Sequence, residues 1–198
     1  MDTPSEFFVF GLQKSGTKYL KRLIEANTNL KFKTDYVWKH TMDPLDIKDD
    51  GVEKFWITKS PYNWARSVIK RHRVDILQKY RQYNLKKISD TNVRGLNIKS
   101  LMTLYNHYHI MLVNSELNNV RYEELLKNNF DFFKKLHKSK SYDVKIPPIQ
   151  DVSTSKFYIE EETKREYLSA PRFNDPLIVE INKYVDKDLI QQMGYKVA

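Results

Sequence analysis

The fold is decided by residues 7–20, which read FFVFGLQKSGTKYL. The apolar run at 7–10 predicts a buried strand, and the apolar spacing from Tyr19 to Ile24 predicts a helix. A strand that turns through glycines into a helix directs backbone N–H groups and the positive end of the helix dipole at one point. Because Lys14 lies in the same turn, the sequence predicts a loop that binds a phosphate or a similar anion.

The composition is that of a globular protein, with 40% hydrophobic and 13% aromatic residues. A chain of 198 residues is long enough for one compact domain and short for two, so we expect a single domain over 1–198. The absence of cysteine excludes disulfides and thiol catalysis and suits a reducing compartment. No apolar run approaches the roughly 18–20 residues of a membrane span, and the start MDTPSE lacks the features of a signal peptide. We therefore expect a cytoplasmic protein that does not bind membranes.

The net charge of +9 indicates an anionic partner. A lysine-rich solvated surface accounts for much of this excess. The lysines are scattered, and the chain has no zinc-finger spacing and no convincing nucleic-acid-binding motif, which disfavours DNA or RNA as the partner. A small, multiply charged cofactor would use only a few of the basic residues.

Strand and helix patterns alternate along the chain and predict an α/β protein. The expected strands cover residues 6–11, 32–37, 54–59 and 119–122. The expected helices cover 16–27, the segment from Pro61 toward 80 or beyond, 98–116, 123–136 and 175–193, the last ending at Gly194. Such alternation favours a parallel sheet flanked by helices, in which ligands bind beyond the carboxyl ends of the strands.

The glycines at positions 11 and 16 have the spacing of a nucleotide-binding P-loop. A nucleotide triphosphatase continues with Lys and then Ser or Thr, so that the lysine reaches the phosphates and the hydroxyl holds magnesium. Here Thr17 precedes Lys18, and the lysine inside the loop is Lys14. This order disfavours a P-loop-like kinase or nucleotide hydrolase, which stays the main alternative. An inactive or nucleic-acid-binding basic domain is the second alternative.

The loop and a second segment resemble the sulfotransferase family. GLQKSGTKYL is similar to the family's 5′-phosphosulfate loop, with Gln13 in place of the common proline and Lys18 in place of the second threonine. KSPYNWARS, at 59–67, resembles the family's 3′-phosphate motif. Lys59 stands there where arginine is usual, and Ser67 has the family's spacing. A lysine holds phosphate less directionally than an arginine, because it is a point charge rather than a planar fork.

Two further segments, in the family's order, resemble sulfotransferase motifs. WKH, at 38–40, is similar to a Lys/His segment after the second strand, which in many members carries the catalytic base. VRYEEL, at 120–125, resembles a V-x-Y-E-D-L segment after a later core strand. The four matches extend from residue 7 to residue 126.

The resemblance implies a P-loop-like, three-layer sulfotransferase fold and an activity. The activity is transfer of a sulfuryl group from 3′-phosphoadenosine 5′-phosphosulfate (PAPS) to a hydroxyl or amine, leaving 3′-phosphoadenosine 5′-phosphate (PAP), without a metal. Lys14 would neutralise the leaving phosphate, and His40 would be the general base, since imidazole titrates near neutral pH. The residues expected to bind the cofactor are Gln13, Lys14, Ser15, Gly16, Thr17, Lys18, Tyr19, Lys59, Ser67 and Tyr122.

The sequence leaves the acceptor open. We expect a small molecule or a carbohydrate, but a protein tyrosine fits the chemistry as well. The segments expected to line its pocket, 36–50, 72–100 and 145–160, are the least patterned parts of the chain. The aspartates between 43 and 50 lack the ordered spacing of a calcium loop, so no metal is expected there. The oligomeric state is also left open.

Overall fold

A computed structural model of the chain describes residues 6–41, 51–70, 98–115, 117–140, 143–144, 165, 167–169 and 174–198. The elements in chain order are β1 (Glu6–Phe10), α1 (Thr17–Asn27), β2 (Lys31–Phe32), β3 (Glu53–Thr58), α2 (Pro61–Lys70), α3 (Ile98–Leu112), β4 (Asn118–Arg121), α4 (Tyr122–Lys127), α5 (Phe130–Lys140), α6 (Pro176–Asn182) and α7 (Lys187–Gln192).

The chain divides into two compact units. The first, here the α/β unit, comprises Met1–Gly11, Ser15–Thr58 and Leu117–Leu168. The second, here the helical unit, comprises Leu12–Lys14, Lys59–Glu116 and Ser169–Ala198. The expectation of a single domain stays a prediction.

The α/β unit contains a four-stranded sheet with the strand order β2-β1-β3-β4. All three strand pairs are parallel, and Phe7 of β1 lies opposite Phe32 on one side and Glu53 on the other. Helices α1, α4 and α5 belong to the same unit. This arrangement confirms the expected α/β class with a parallel sheet.

The core of the α/β unit lies on both faces of β1. Phe7 and Val9 pack into a large apolar cluster with residues of α1, β3, α4 and α5. Phe8 and Phe10, which point to the opposite face, pack with Val52. A strand paired on both sides and buried on both faces reads as a continuous apolar run, as β1 does. The burial of each such phenylalanine contributes about 2 kcal/mol to folding.

The helical unit holds α2, α3, α6 and α7, and α3 contacts the other three helices. Pro61 is the first residue of α2, a position where the missing N–H of proline leaves no helical hydrogen bond unmade. The Tyr62 hydroxyl of α2 donates to Asn182 Oδ1 at 2.7 Å and accepts from the Ala198 N–H at 2.9 Å. These bonds attach α2 to α6 and to the C-terminal residues.

The strand predicted over 32–37 is wrong in its extent, because β2 ends at Phe32. Asp35 has a φ of 54°, in the left-handed region, which is incompatible with a continuing strand. The helix predicted over 98–116 is shorter than expected. It ends at Leu112, and a turn follows it. The other strands agree with their predicted bounds to within one residue.

Two predicted helices are each divided in two. The helix predicted over 123–136 is broken at Asn128, which adopts an extended conformation with a φ of −162°. The helix predicted over 175–193 is interrupted at Asp186, whose carboxylate accepts the Leu189 N–H at 3.0 Å and caps α7. Gly194, with a φ of 82°, follows α7 and confirms the predicted helix end.

Within the ranges that the structure describes, no helix is both long and apolar enough to cross a membrane. The same residues contain no group of three His, Asp or Glu side chains that could hold a metal ion. Three of the predicted segments lie outside the described residues: the aspartate-rich loop at 43–50, the part of the second helix beyond 70 and the whole segment at 145–160.

Candidate functional site

The first turn, residues 11–16, leads from the end of β1 to the start of α1. Lys14 has a φ of 73° and Gly16 a φ of 106°, so two residues of this turn adopt left-handed conformations. For a lysine this conformation costs on the order of 1 kcal/mol. Left-handed residues next to a helix start turn successive N–H groups toward one concave side, which is the geometry of an anion-binding loop. Strain of this kind is typical of functional loops.

The glycines of the first turn are required by close contacts within the α/β unit. A Cβ on Gly11 would lie 2.5 Å from Ser15 Oγ and 2.8 Å from the Ile57 carbonyl oxygen. A Cβ on Gly16 would lie 2.4 Å from the ring of Tyr122. Neither position therefore has room for a side chain, and the turn presents its main chain.

Tyr122, the first residue of α4, supports the first turn through its buried ring. The ring is in edge contact with Tyr19 and with Tyr167, with centroid distances of 5.8 and 5.7 Å. Burial raises the pKa of the Tyr122 phenol, and these two neighbours and Glu123 raise it further. The phenol is therefore a neutral hydrogen-bonding group. Its predicted contact with the cofactor stays a prediction.

The first turn of α1 contains no acidic residue, so no carboxylate of that turn offsets the positive end of the helix dipole. Gly16 is the N-cap and has no side chain to bond the first N–H groups, while its carbonyl accepts from Tyr19 and Leu20. Ser15 and Thr17 are both buried beside this helix start. Main-chain N–H groups and small hydroxyls at a helix start form a site suited to a phosphate or sulfonate.

The second turn, residues 59–67, lies in the helical unit. Lys59 Nζ donates to Ser67 Oγ at 3.4 Å, and both side chains are buried. The Tyr105 hydroxyl of α3 donates to the Lys59 carbonyl at 2.8 Å and fixes the backbone of the turn. The Ser67 hydroxyl in turn donates to the Asn63 carbonyl at 2.8 Å, so the Lys59 ammonium is the cationic donor that this pair offers to an oxyanion. The two residues singled out by their spacing are thus adjacent in the structure.

Trp64 connects this second turn to the first. Its indole Nε1–H donates to the carbonyl of Gln13 at 2.8 Å, and its ring packs on Tyr105 at 5.4 Å. Residues Leu12–Lys14 consequently belong to the same compact unit as Lys59 and Ser67. Our sequence analysis missed this residue, although a tryptophan in the middle of a helix requires an acceptor for its N–H.

His40 is bonded to the end of β1 within the α/β unit. Its Nδ1 lies 2.5 Å from the carbonyl oxygen of Gly11, and the Gly11 N–H donates to the Lys39 carbonyl at 3.1 Å. A carbonyl only accepts, so Nδ1 carries the proton, and in the neutral ring the lone pair is on Nε2. The ring of Trp38 lies edge-on to that of His40 at 5.5 Å. This tautomer is the one a general base needs for a proton arriving at Nε2.

Lys18 lies on the exposed side of α1, where it lines a groove together with Lys39. Burial lowers the pKa of the Lys39 ammonium, and the charges of Lys18 and Lys21 lower it further. The ammonium groups of these lysines are therefore close enough to repel one another. The predicted contact of Lys18 with the cofactor stays a prediction.

The predicted site residues are thus distributed over both units. The α/β unit contains Ser15, Gly16, Thr17, Lys18, Tyr19, His40 and Tyr122. The helical unit contains Gln13, Lys14, Lys59 and Ser67. The peptide bond from Lys14 to Ser15 joins the two sets within the first turn.

Comparisons with protein-family models, with curated proteins and with solved structures find no match to this chain. The α/β class therefore depends on the observed sheet. The functional interpretation depends on the residues of the two turns.

Proposed function

We propose that this protein is a sulfotransferase, which moves the sulfuryl group of PAPS to a hydroxyl or amine of an acceptor and releases PAP. The assignment to the P-loop-like, three-layer sulfotransferase fold is part of the same proposal. The observation that carries it is the second turn, where Lys59 and Ser67 meet in a unit that also holds the Gln13 carbonyl through Trp64. A nucleoside with phosphates on both the 3′ and 5′ oxygens needs such a second anion site, whereas ATP does not.

The two turns suit the two ends of the donor. The main-chain N–H groups of the first turn, with Thr17 at the start of α1, would bind the 5′-phosphosulfate. Lys59 would bind the 3′-phosphate through its ammonium, and the Ser67 hydroxyl would join it by turning from the Asn63 carbonyl to the phosphate. No metal is needed in this scheme, because lysines and N–H groups neutralise the anions.

The proposed reaction uses Lys14 and His40. An acceptor oxygen attacks sulfur, its proton passes to His40 Nε2, and the bond from sulfur to the bridging oxygen breaks with its electron pair going to PAP. Lys14 stabilises the charge that develops on that bridging oxygen. The hydrogen bond from His40 Nδ1 to Gly11 supports this role, since in the neutral ring it leaves the lone pair on Nε2. The first turn would also accelerate the reaction by holding the sulfuryl group in line with the attacking oxygen, as in phosphoryl transfer.

A kinase or nucleotide hydrolase is less well supported. The lysine that follows Gly16 and Thr17 would have to reach the β- and γ-phosphates in such an enzyme. Lys18 instead lines the groove beside Lys39, on the exposed side of α1.

Incubation with ³⁵S-labelled PAPS and a mixture of hydroxyl acceptors tests the proposal. We expect labelled product with the wild-type chain and a loss of about a hundredfold or more in rate for Lys14→Ala. The matched control is Lys127→Ala, which removes an exposed lysine at the end of α4 and should leave the rate unchanged. Stabilisation by ATP with magnesium and none by PAP, measured as melting temperature, would refute the proposal.

A further inference from the structure

A groove of about 560 Å³ lies in the α/β unit, along α1 and the segment that follows β2. Among the described residues, five basic and two acidic side chains line it. The basic residues are Lys18, Lys21, Arg22, Lys33 and Lys39. The cofactor contacts proposed above involve none of these five side chains, so the groove is available to a second ligand.

The basic side chains of the groove are held in place at its wall. Lys21 Nζ lies 3.9 Å from the centroid of the Phe32 ring and 3.7 Å from Glu25. Lys33 Nζ bonds to Glu6 at 3.1 Å. Side chains already ordered lose less entropy on binding a ligand. The mutual repulsion of Lys18, Lys21 and Lys39 would also be relieved by an anion placed among them.

Apolar side chains complete the groove. Phe8 and Phe32 form part of its lining, while Val37 and Trp38 are 39% and 37% exposed at its edge. An exposed indole packs well against the C–H face of a sugar ring, and neighbouring cations bind carboxylate or sulfate groups on the same sugar. The combination favours a negatively charged ligand that also has an apolar C–H face.

The aromatic content of the groove favours an oligosaccharide over a nucleic acid strand. Its volume is within the roughly 300–1,000 Å³ of sites for small ligands. A single strand of nucleic acid stacks successive bases on several aromatic rings along a basic track. Of the aromatic rings that line the groove in the described part of the chain, only that of Trp38 is exposed, by 37%.

We propose that this groove binds an acidic saccharide and, as an extension of the sulfotransferase proposal, that this saccharide is the acceptor. Lys39 and Trp38 of the groove immediately precede His40, and the rings of Trp38 and His40 are in edge contact at 5.5 Å. A sugar stacked on Trp38 with its acid group on the lysines would therefore lie beside the segment that carries His40, whose own ring is buried next to that of Trp38. Charge selects the saccharide, and the indole orients it.

The test is titration of the full chain with a heparosan tetrasaccharide, which carries carboxylates and free hydroxyls but no sulfate. Lys21→Gln/Lys39→Gln should weaken its binding by about tenfold or more, since each lost cation removes a charge-assisted hydrogen bond. The matched control, Lys134→Gln/Lys135→Gln, removes two exposed lysines from α5 and should leave the affinity unchanged. Trp38→Leu should weaken binding as well, and neutral cellotetraose should bind more weakly than heparosan. Melting temperatures of all variants identify any that fail to fold.

The proposal is overturned if both double variants lose affinity equally, or if oligo-dT or an acidic tyrosine peptide competes the tetrasaccharide away from the groove. A parallel titration with PAP separates the two proposals. Binding of PAP without the tetrasaccharide would overturn the groove assignment alone. Binding of the tetrasaccharide, sensitive to Lys21 and Lys39, without PAP would support the groove and overturn the sulfotransferase activity.

Discussion

The first and second turns, both proposed to bind an anion, are built in different ways. The first turn is built from the main chain, with glycines that contact their neighbours too closely for a Cβ and with Lys14 at a φ of 73°. The second turn is built from side chains, in which Lys59 donates to Ser67 and Tyr105 holds the backbone. Shape therefore defines the first turn, and charge defines the second. Substitution of Gly16 in the first turn should therefore damage the fold, whereas substitution of Lys59 in the second should damage ligand binding.

The largest effect is expected at His40, which is bonded to the first turn. His40→Gln keeps an amide donor for the Gly11 carbonyl but removes the base, so the rate should fall by about a thousandfold. Transfer of labelled sulfate measures the rate, and titration with PAP should give an unchanged dissociation constant. His137→Gln, on the exposed side of α5, is the control. An active His40→Gln variant would remove His40 from the mechanism.

The shape requirement of the first turn is tested by Gly16→Ala. The new Cβ would lie 2.4 Å from the Tyr122 ring on a backbone with a φ of 106°. We expect a loss of about 3 kcal/mol in the free energy of unfolding, from strain and overpacking together. Gly51→Ala is the matched control, because Gly51 has a φ of 74° but no atom within 4 Å of its Cβ position. If urea denaturation gave the same loss of unfolding free energy for both variants, the contact with Tyr122 would not contribute to the cost of Gly16→Ala.

Acid should weaken the helical unit that supports the second turn. Burial lowers the pKa of His109 to about 3, and its ring lies 4.3 Å from that of Tyr105. Between pH 6.5 and pH 3 the unfolded chain binds a proton at this residue that the folded chain does not. Stability therefore falls as the pH falls through this window, by about 2 kcal/mol at pH 5. His109→Phe should reduce the pH dependence of the unfolding free energy, and an unchanged slope would exclude His109 as its source.

The connection of Leu12–Lys14 to α2 is tested by Trp64→Phe. The variant removes the hydrogen bond to the Gln13 carbonyl and should cost about 1.5 kcal/mol in stability. It should also weaken PAP binding severalfold. Tyr62→Phe, in the same helix, loses its bonds to Asn182 and Ala198 and should destabilise the chain without changing PAP affinity. Equal changes in PAP affinity would make Trp64 a purely structural residue.

The sequence predicts those parts of the fold that local pattern determines. β1, the first turn and α1 are recognisable because an apolar run, two glycines and a helical repeat follow one another. The breaks at Asn128 and Asp186 were missed, because short polar residues within an apolar repeat change the periodicity very little. The cap at Asp186 nevertheless has a local signal, an aspartate three residues before a leucine whose N–H it accepts.

The sequence predicts which residues belong to the candidate site, but it does not predict the hydrogen bonds that they form. Spacing identified Lys59 and Ser67, and the structure brings them within 3.4 Å. The bonds from Trp64 to Gln13 and from His40 to Gly11 join residues far apart in the chain, so they depend on tertiary packing. The basic groove is a further example, since it combines one face of α1 with the segment after β2.

Titration calorimetry with PAP and 5′-AMP tests the central claim, that Lys59 and Ser67 bind a second phosphate of one nucleotide. We predict that the wild-type chain binds PAP at least about tenfold tighter than 5′-AMP, as one charge-assisted contact requires. Lys59→Ala should reduce the affinity for PAP to that for 5′-AMP and leave 5′-AMP binding unchanged. Equal affinities of the wild-type chain for the two nucleotides, or tighter binding of ATP with magnesium than of PAP, would contradict the account.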